Sequence, residues 1–563
     1  MLSLACGGSK PTDYSSSGGT GQQSGGNGGA GSWAGSNAGG RSTSTGASGE
    51  SGQAMGGATF GGASSSTNGG QEHSGGAGAS SSTAEGGHSE PGGAGGEPTT
   101  TGGATSQAGA PGHDDPDVEP SGPVPVLWLT IPGVPNPDDI DGDEATGFMR
   151  VIEAHDGTHA DPAGFATAPA SLETPISIHV RGKSSQGFAK KNYALEFHQQ
   201  NGDQVKLKFL GMPKESDWVL HGPYPDKTLM RNALVYWIAR EMYRLPDGKI
   251  EAGRWSPRTR FTELYMNGQY WGVYVAIERI KADADRVDVD RPAADAQSGD
   301  VSGGYIIRRE GGGDGENNDW VSRVDQLVYT HHYPKPKDLS PAQTEFIRGY
   351  FDSFESMMLE DYWNDPSRGY PAWLDVTSTL DYFLAMEWTN NVDGYFKSVY
   401  MVKHAQSQGG RLSFGPLWDF DIALGNADYR NGDKVTNWVH NTTGTEASPY
   451  KPPGEVTFIP PYVRRLWGDE GFRLALRCRW EALRAGALSH DPIEAKLDAW
   501  AARLSDAERR DHMRWPVIGK RIWPNPVAWI SYEAEIVYLK RFMRQRFEFL
   551  DVELAKLGPG ECL

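Results

Sequence analysis

The sequence is short of positive charge and has no long hydrophobic run. Its 563 residues hold 53 Lys and Arg against 72 Asp and Glu, which gives a formal net charge of -19 at pH 7. Nucleic acid is itself a polyanion, and no dense run of Lys or Arg supplies a local basic groove, so we do not expect nucleic-acid binding. No stretch of about 18 consecutive apolar residues occurs, so the sequence predicts no membrane-spanning helix.

Glycine divides the chain into two unlike parts. Of the 73 glycines, 35 precede residue 113, where they are mixed with Ser, Thr, Ala and Gln and where Lys10 and Arg41 are the only cations. Such a segment buries too little apolar surface to offset its chain entropy, so we predict a disordered tether over residues 7–122. Seventeen of the 18 tryptophans follow residue 112, so the folded part is predicted to begin near residue 120.

Only three cysteines are present. Residues 2–8, Leu-Ser-Leu-Ala-Cys-Gly-Gly, resemble the end of a bacterial lipoprotein signal, and the long tether follows directly. We therefore interpret residues 1–6 as the remnant of such a signal. A lipid on Cys6 would anchor the protein to the cell envelope, as an outer-membrane or surface lipoprotein. In an oxidising compartment, Cys478 and Cys562 either form a disulfide or remain two buried thiols.

A period of two residues marks the first part of the folded region. The Asn267-Gly268 pair between two alternating runs is typical of a two-residue type I′ hairpin turn. Residues 123–310 are therefore predicted to form a β-rich lobe. Strands are expected at about residues 123–131, 176–180, 191–197, 262–266, 269–277 and 303–309.

After residue 340 the period changes to 3.6, so residues 311–558 are predicted to form a mainly helical lobe. A β-rich half followed by a helical half indicates an α+β, two-lobed architecture, with a cleft between the lobes as the natural ligand site. Helices are expected at about residues 341–360, 375–389, 471–486, 492–510 and 530–557.

One short hairpin interrupts the helical half and carries acidic residues at both ends. The chain passes from Asp393 through two expected strands in residues 396–417 to Asp419 and Asp421, so these carboxylates return to the same end of the hairpin. Carboxylates gathered without matched cations either retain a proton or bind a divalent cation, and magnesium prefers carboxylate oxygens together with water and phosphate. The alternative is that each Asp only caps a turn, which is the commoner role of an isolated Asp-x-Asp.

Lys191 shares a predicted strand face with Tyr193, Leu195 and Phe197. Because side chains two residues apart lie on the same side of a strand, the Lys191 ammonium is expected to point toward the core and to require an anionic partner. A strand-end lysine whose stem passes the rim of the core and reaches solvent fits the same spacing equally well.

Five blocks occur in an order that resembles the CotH kinase family, the spore-coat protein H type. The resemblance covers residues 124–550, and it implies an atypical protein-kinase-like fold that phosphorylates protein serine with ATP and Mg²⁺ or Mn²⁺. The blocks are Arg181-Gly-Lys-Ser-Ser-Gln-Gly-Phe-Ala-Lys-Lys-Asn-Tyr193, Asp226-Lys-Thr-Leu-Met-Arg-Asn232, Glu263-Leu-Tyr-Met-Asn-Gly-Gln-Tyr-Trp-Gly-Val-Tyr-Val-Ala-Ile-Glu278, Asn391-Val-Asp393 and Trp418-Asp-Phe-Asp421.

The resemblance assigns roles to the acidic blocks. Asp393 would be the base that orients the acceptor hydroxyl, and Asp419 would be the principal metal ligand, assisted by Asp421 and by Asn391. Ser398 stands five residues after Asp393, where a kinase-type loop usually places a metal-binding Asn. This departure puts a second metal site in question.

The remaining blocks would serve the nucleotide. Lys191 and Arg181 would contact its phosphates, with Glu278 as the ionic partner of Lys191. The 226–232 block would either brace the junction of the lobes or touch the nucleotide.

Three functions fit these features. The first is an envelope-anchored protein serine kinase acting on secreted or surface proteins. The second is a catalytically weak pseudokinase or scaffold of the cell surface or spore coat, since ATP is scarce outside the cytoplasm. The third is a glycoside hydrolase, because 10% aromatic residues and paired carboxylates also suit sugar cleavage, although Lys191 then has no role.

Overall fold

A computed structural model describes residues 116–120, 122–134, 140, 144–157, 159, 161–290, 299–310, 319–443, 445–446, 456–557, 560 and 562. All of them lie in one unit of the chain, Thr105–Leu563. Cys6 and residues 7–115 of the predicted tether lie outside the described residues.

Strands dominate the first half of the described chain, and helices dominate the second. The strands are β1 (Val126–Thr130), β2 (Ala145–Ile152), β3 (Leu172–Arg181), β4 (Asn192–Phe197), β5 (Leu207–Phe209), β6 (Met212–Glu215), β7 (Asp217–His221), β8 (Thr259–Met266), β9 (Gln269–Glu278), β10 (Tyr305–Arg309), β11 (Asp319–Val321), β12 (Val328–Tyr333), β13 (Val399–Lys403), β14 (Leu412–Phe414), β15 (Thr445–Glu446) and β16 (Val456–Thr457). The helices are α1 (Arg231–Met242), α2 (Pro341–Met357), α3 (Tyr370–Trp373), α4 (Val376–Thr389), α5 (Pro461–Gly468), α6 (Glu470–Arg484), α7 (His490–Arg514) and α8 (Tyr532–Ala555).

Seven strands close into a barrel in the order β1, β2, β3, β4, β7, β9 and β8. The closing pair, β1 with β8, is parallel, and the hairpin of β8 and β9 is antiparallel. Asn267 and Gly268 join these two strands with φ values of 50° and 78°, as a type I′ turn requires, so the predicted hairpin is confirmed. Tyr193, Leu195 and Phe197 of β4 fill the barrel core, as their alternation predicts.

A second sheet has five antiparallel strands in the order β11, β12, β10, β13 and β14. Strands β13 and β14 are the hairpin that the sequence predicts over residues 396–417. Strand β10 lies before residue 310 and pairs with β13, so the sheet joins the two predicted lobes. Strands β11 and β12 lie in a part of the chain that was expected to be mainly helical.

The five long helices α2, α4, α6, α7 and α8 lie where the 3.6-residue period predicts them. Helix α2 begins with a capping box, in which the Ser340 hydroxyl accepts from the Gln343 amide and the Gln343 side chain accepts from the Ser340 amide. Among the described residues, no helix has both the length and the apolar character needed to cross a bilayer. The described chain is therefore a mixed α/β fold.

Two main hydrophobic cores stabilise this arrangement. One lies inside the barrel, and the other packs α1, the five-stranded sheet and the later helices together. Val275 and Ile277 of β9 belong to the second core, whereas Tyr274 and Ala276 belong to the first, so alternate residues of one strand serve both. Helix α1 is buried along most of its length and thereby links the barrel to the helical part.

The last residues of the predicted tether contact the folded part. The Asp117 carboxylate accepts from the Arg258 guanidinium at 2.9 Å and also lies near Arg240 and Arg244. Burial raises the pKa of Asp117, but the three guanidinium groups outweigh it, and the net pKa is lowered. The chain is therefore fixed on the fold several residues before the expected start at Pro123.

Cys478 of α6 and Cys562 form a disulfide across 84 residues of sequence. Of the two alternatives that the sequence leaves open for these cysteines, the structure has the bonded one. The bond joins the C-terminal segment to α6.

The lysine that enters the core is Lys190, not Lys191. The Lys190 ammonium is 2.6 Å from the Asp511 carboxylate of α7, and both side chains are almost fully buried. Asp511 also accepts the Val273 amide of β9 at 2.7 Å. Strand β4 begins only at Asn192, so its alternation does not extend back to Lys191.

We predict that Lys190→Met destabilises the fold by about 3–5 kcal/mol, because it leaves the Asp511 carboxylate buried without its cation. Urea titration of both proteins measures the free energy of unfolding. Lys191→Met is the matched control and should cost less than about 1 kcal/mol, since its ammonium only donates to the Gln186 carbonyl. Equal losses for the two variants would contradict this account of the ion pair.

Candidate functional site

A cleft with a volume of about 910 Å³ is bordered by both sheets. Barrel strands β3, β4, β7 and β9 contribute to one part of its wall, and β10, β12 and β13 contribute to another. Helix α1 supplies Asn232 and Tyr236, and the loop after β14 supplies Asp419 and Asp421. The cleft therefore lies between the barrel and the five-stranded sheet.

The structure brings the predicted acidic residues together in this cleft. Asp393, Asp419 and Asp421 all line it, and Glu310 at the end of β10 lines it as well. The Ser398 hydroxyl donates to the Asp419 carboxylate at 3.2 Å, and the Ser398 amide donates to Glu310 at 3.3 Å. The residue that replaces the expected Asn therefore joins two of the four carboxylates.

Gathering these carboxylates raises their affinity for protons. Burial, together with the charges of Glu310 and Asp393, raises the pKa of Asp419 to about 6, although Arg181 and the Ser398 hydroxyl oppose the shift. Burial and then the charges of Asp419, Asp226 and Asp393 raise the pKa of Asp421 well above its ordinary value. The surroundings of Asp419 and Asp421 therefore disfavour two ionised carboxylates, and this part of the cleft favours an added proton or an added cation.

Helix α1 holds the loop that carries Asp419. The Phe420 amide donates to the Asn232 side-chain oxygen at 2.7 Å, and the Asp419 amide donates to the Tyr236 hydroxyl at 3.0 Å. The Arg231 guanidinium donates to the Ala423 carbonyl at 3.1 Å and is paired with Asp226. The 226–232 block was expected either to brace the junction of the lobes or to touch the nucleotide, and these contacts favour the first role.

The Asp393 carboxylate is held by a cation. The Arg430 guanidinium is 2.8 Å from it and packs over the Phe458 ring at 3.7 Å, which fixes the direction of the guanidinium. The Asn391 side chain accepts the Asp393 amide at 3.1 Å and donates to the Asp419 carbonyl at 3.2 Å. This amide therefore ties the two acidic loops to each other.

A second cation approaches from the barrel. Arg181 ends β3 and lines the cleft, with its guanidinium 5.7 Å from the centre of the Trp418 ring. Burial lowers the pKa of Arg181, and the Asp419 charge partly restores it. Lys183, in the turn that follows, lines the same wall. This turn thus brings basic side chains to the cleft that contains Asp419.

Three of the predicted site residues lie outside the cleft lining. The Lys191 ammonium donates to the Gln186 carbonyl at 2.6 Å. Glu278 is fully buried at the end of β9, where its carboxylate pairs with Arg258 at 3.2 Å, so the predicted pair with Lys191 is wrong. Asn391 uses both ends of its amide on backbone groups, so it is not directed to a metal.

Two residues of the site could not be assigned from the sequence. Glu310 follows β10 as a single acidic residue before a run of glycines, which matches no spacing rule for a ligand. Arg430 lies 37 residues after Asp393, and only the folded chain shows that they meet. The one signal for Arg430 in the sequence is that it follows the acidic loop of Asp419 and Asp421 by only a few residues.

The carboxylates of the cleft offer oxygen ligands to a divalent cation. Within the described residues, no three His, Cys, Asp or Glu side chains form a ready-made metal cage. Magnesium is usually held by one or two carboxylates together with water and phosphate oxygens, so a full cage is not required. Asp419 and Asp421 line the cleft together with Glu310 and Asp393, so Asp419 with Asp421 fits such a partial site.

Comparison with known protein families gives a match over most of the folded part. The family model described as CotH kinase protein matches residues 178–550, about two thirds of the sequence. No curated protein matches the chain at a significant level. The match includes Arg181, Asp393, Asp419 and Asp421.

We predict that Asp419→Asn raises the melting temperature at pH 7.5 in EDTA by about 1–2 °C, because it removes an unfavourable charge. The pKa of Asp419 is raised on folding, so its favourable contribution is complete at low pH and is lost as the pH rises through about 6. The gain should therefore be clearly smaller at pH 4.5 than at pH 7.5, because it disappears fully only below the ordinary Asp pKa of 3.8, and calorimetry at both pH values would show this. Asp361→Asn, at an exposed position, is the control and should change neither value. A gain at pH 4.5 as large as at pH 7.5 would contradict the assignment.

Proposed function

Because the chain belongs to the CotH kinase family, we propose that it is an ATP- and divalent-metal-dependent kinase that phosphorylates serine in secreted or surface proteins. One observation supports this most: Asp393, Asp419 and Arg181 line the same cleft, so groups suited to an acceptor, a metal and a phosphate lie together. Phosphoryl transfer depends on such positioning and on electrostatic stabilisation more than on covalent catalysis. An atypical two-lobed, kinase-like arrangement, with the barrel and the helical part as lobes, is the corresponding proposal for the fold.

Asp419 would be the principal ligand of Mg²⁺ or Mn²⁺, with Asp421 assisting. A bound divalent cation would neutralise the carboxylates and the nucleotide phosphates when both are present. Helix α1 fixes the backbone of Asp419 through Tyr236 and Asn232, so the carboxylate is positioned before any ligand arrives.

Arg181 and Lys183 would contact the phosphates of ATP. Arg181 is the last residue of β3, Lys183 lies in the turn that follows, and both line the cleft. Arginine and lysine serve different purposes here, since the planar guanidinium binds two phosphate oxygens and the ammonium acts as a point charge. Arg181 keeps the role that the resemblance gave it, and Lys183 takes the place suggested for Lys191.

Asp393 would act on the acceptor. Its carboxylate accepts the proton of the serine hydroxyl while the hydroxyl oxygen bonds to the terminal phosphorus of ATP. The bond from that phosphorus to the bridging oxygen breaks, and ADP leaves with the bond's electron pair. Arg430 would keep the Asp393 carboxylate in its orientation during this step.

We place the protein outside the cytoplasm, as a lipoprotein of the envelope. The disulfide between Cys478 and Cys562 is typical of an oxidising compartment, and a lipid on Cys6 would provide the anchor. The acceptor would then be a neighbouring envelope or coat protein.

A catalytically weak pseudokinase or scaffold is the second candidate. Ser398 favours it, because a serine hydroxyl stands where a second metal ligand of the amide type is expected. A glycoside hydrolase is less compatible with the site, since Arg181 would then have no role.

We predict that the full chain transfers labelled phosphate from ATP to itself or to dephosphorylated casein in the presence of Mn²⁺. Asp393→Asn and Asp419→Ala should each lower the initial rate by at least about 100-fold, through loss of the base and of the metal ligand. Asp433→Asn is the matched control, because Asp433 pairs with Lys434 away from the cleft lining. Nucleotide binding without transfer would favour the scaffold, and equal labelling by wild type and Asp419→Ala would overturn the metal assignment.

A further inference from the structure

Two aromatic side chains of the cleft wall have no part in the phosphoryl-transfer scheme. Tyr429 and Trp523 both line the cleft, and their rings stack with centroids 6.0 Å apart and planes within 9° of parallel. Trp523 is 60% exposed and is the one tryptophan among the strongly exposed hydrophobic side chains of the described residues. A large aromatic left open to solvent inside a cleft is typical of a binding surface.

The segment that carries Trp523 is firmly held. It lies in the connection between α7 and α8, where the buried Asn525 side chain donates to the Pro225 carbonyl at 2.8 Å and to the Asn426 side chain at 2.9 Å. The Asp428 amide donates to the Pro524 carbonyl at 2.8 Å, which joins this connection to the segment of Tyr429. The two rings are therefore positioned in advance, and a ligand would not have to order them.

Arg430 connects this aromatic pair with Asp393. Its guanidinium is 2.8 Å from the Asp393 carboxylate and 5.5 Å from the centre of the Tyr429 ring. Arg181, the proposed phosphate contact, instead lies over Trp418. The Tyr429–Trp523 pair therefore adjoins the acceptor group of the cleft, and the nucleotide groups lie beside a different aromatic ring.

We propose that Tyr429 and Trp523 bind the polypeptide that carries the acceptor serine, by stacking against the residues next to that serine. This inference rests on the proposed kinase function. A serine hydroxyl is one carbon from its backbone, so a serine placed at Asp393 brings its neighbours in sequence onto the adjoining surface. That surface is the aromatic pair.

The chemistry of the surface indicates how it would select. Two guanidinium groups of the neighbouring segments are engaged within the protein, Arg430 with Asp393 and Arg521 with Asp428. Recognition would therefore depend on planar or cyclic side chains that stack on the indole, and on backbone lying flat against it, more than on charge. An extended and unstructured acceptor segment suits such a surface.

The test uses the full chain with Mn²⁺ and a non-hydrolysable ATP analogue. Peptides that bind the wild type are enriched from a displayed library of random 13-residue peptides with a fixed central serine. The affinities of the enriched peptides are then measured by fluorescence anisotropy. Trp523→Ala should weaken peptide binding on the order of ten-fold or more, and by far more than it weakens binding of the ATP analogue. Trp523→Phe, which keeps a ring, should fall between the two.

Ile530→Ala is the matched control. Ile530 lies in the same connection, is 86% exposed and is outside the cleft lining, so this variant should bind peptides as the wild type does. Absence of any enriched peptide, or equal peptide binding by Trp523→Ala and wild type, would overturn the proposal. Trp523-dependent binding to a panel of cell-wall oligosaccharides in place of peptides would overturn the polypeptide assignment.

The same proteins separate this inference from the kinase proposal. If the wild type phosphorylates casein and Trp523→Ala does not change the KM for casein, the docking surface is contradicted and the kinase proposal stands. If peptide binding requires Trp523 but neither the wild type nor any variant transfers phosphate, the kinase proposal is contradicted and the docking surface stands.

Discussion

The position of Asp419 depends on hydrogen bonds from helix α1 to the backbone of the acidic loop. Asn232 and Tyr236 accept the Phe420 and Asp419 amides, and Arg231 donates to the Ala423 carbonyl. Asp419 has a φ of 71°, in the left-handed region that non-glycine residues seldom occupy, so the loop needs such external support. Since α1 also packs against the helical core, the fold of the barrel and of the helices together determines where this carboxylate lies.

The second constraint is the negative charge that this arrangement collects. Asp393, Asp419, Asp421 and Glu310 face one cleft, and burial, together with the charges of neighbouring carboxylates, raises the pKa values of Asp419 and Asp421. A fold selected only for stability would separate or pair these groups more fully. Holding them together instead is typical of a site that binds a cation and a polyphosphate. The basic side chains of Arg181 and Lys183 on the same cleft suit the polyphosphate.

Local signals in the sequence predicted much of this fold. The Asn267-Gly268 turn, the long helices and the hairpin between Asp393 and Asp419 depend on short-range periodicity and turn chemistry, and all are present. Of the two alternatives for Lys191, the core-directed one is wrong, because strand alternation does not extend back past Asn192, where β4 begins. Glu278 pairs with Arg258, and Glu310 and Arg430 enter the site through contacts between segments distant in sequence. No pattern of spacing encodes such contacts, so the sequence predicted the acidic half of the site better than the groups that hold it.

The proposed chemistry of this cleft depends most on Asp419 as the anchor of a divalent cation. A crystal structure of the full chain grown with Mn²⁺ and a non-hydrolysable ATP analogue, with anomalous scattering measured at the manganese absorption edge, tests it most directly. We expect an anomalous peak within about 2.0–2.3 Å of an Asp419 carboxylate oxygen, with phosphate oxygens completing the coordination. A well-ordered analogue with no anomalous peak beside Asp419, or manganese bound only elsewhere on the protein, would contradict the account.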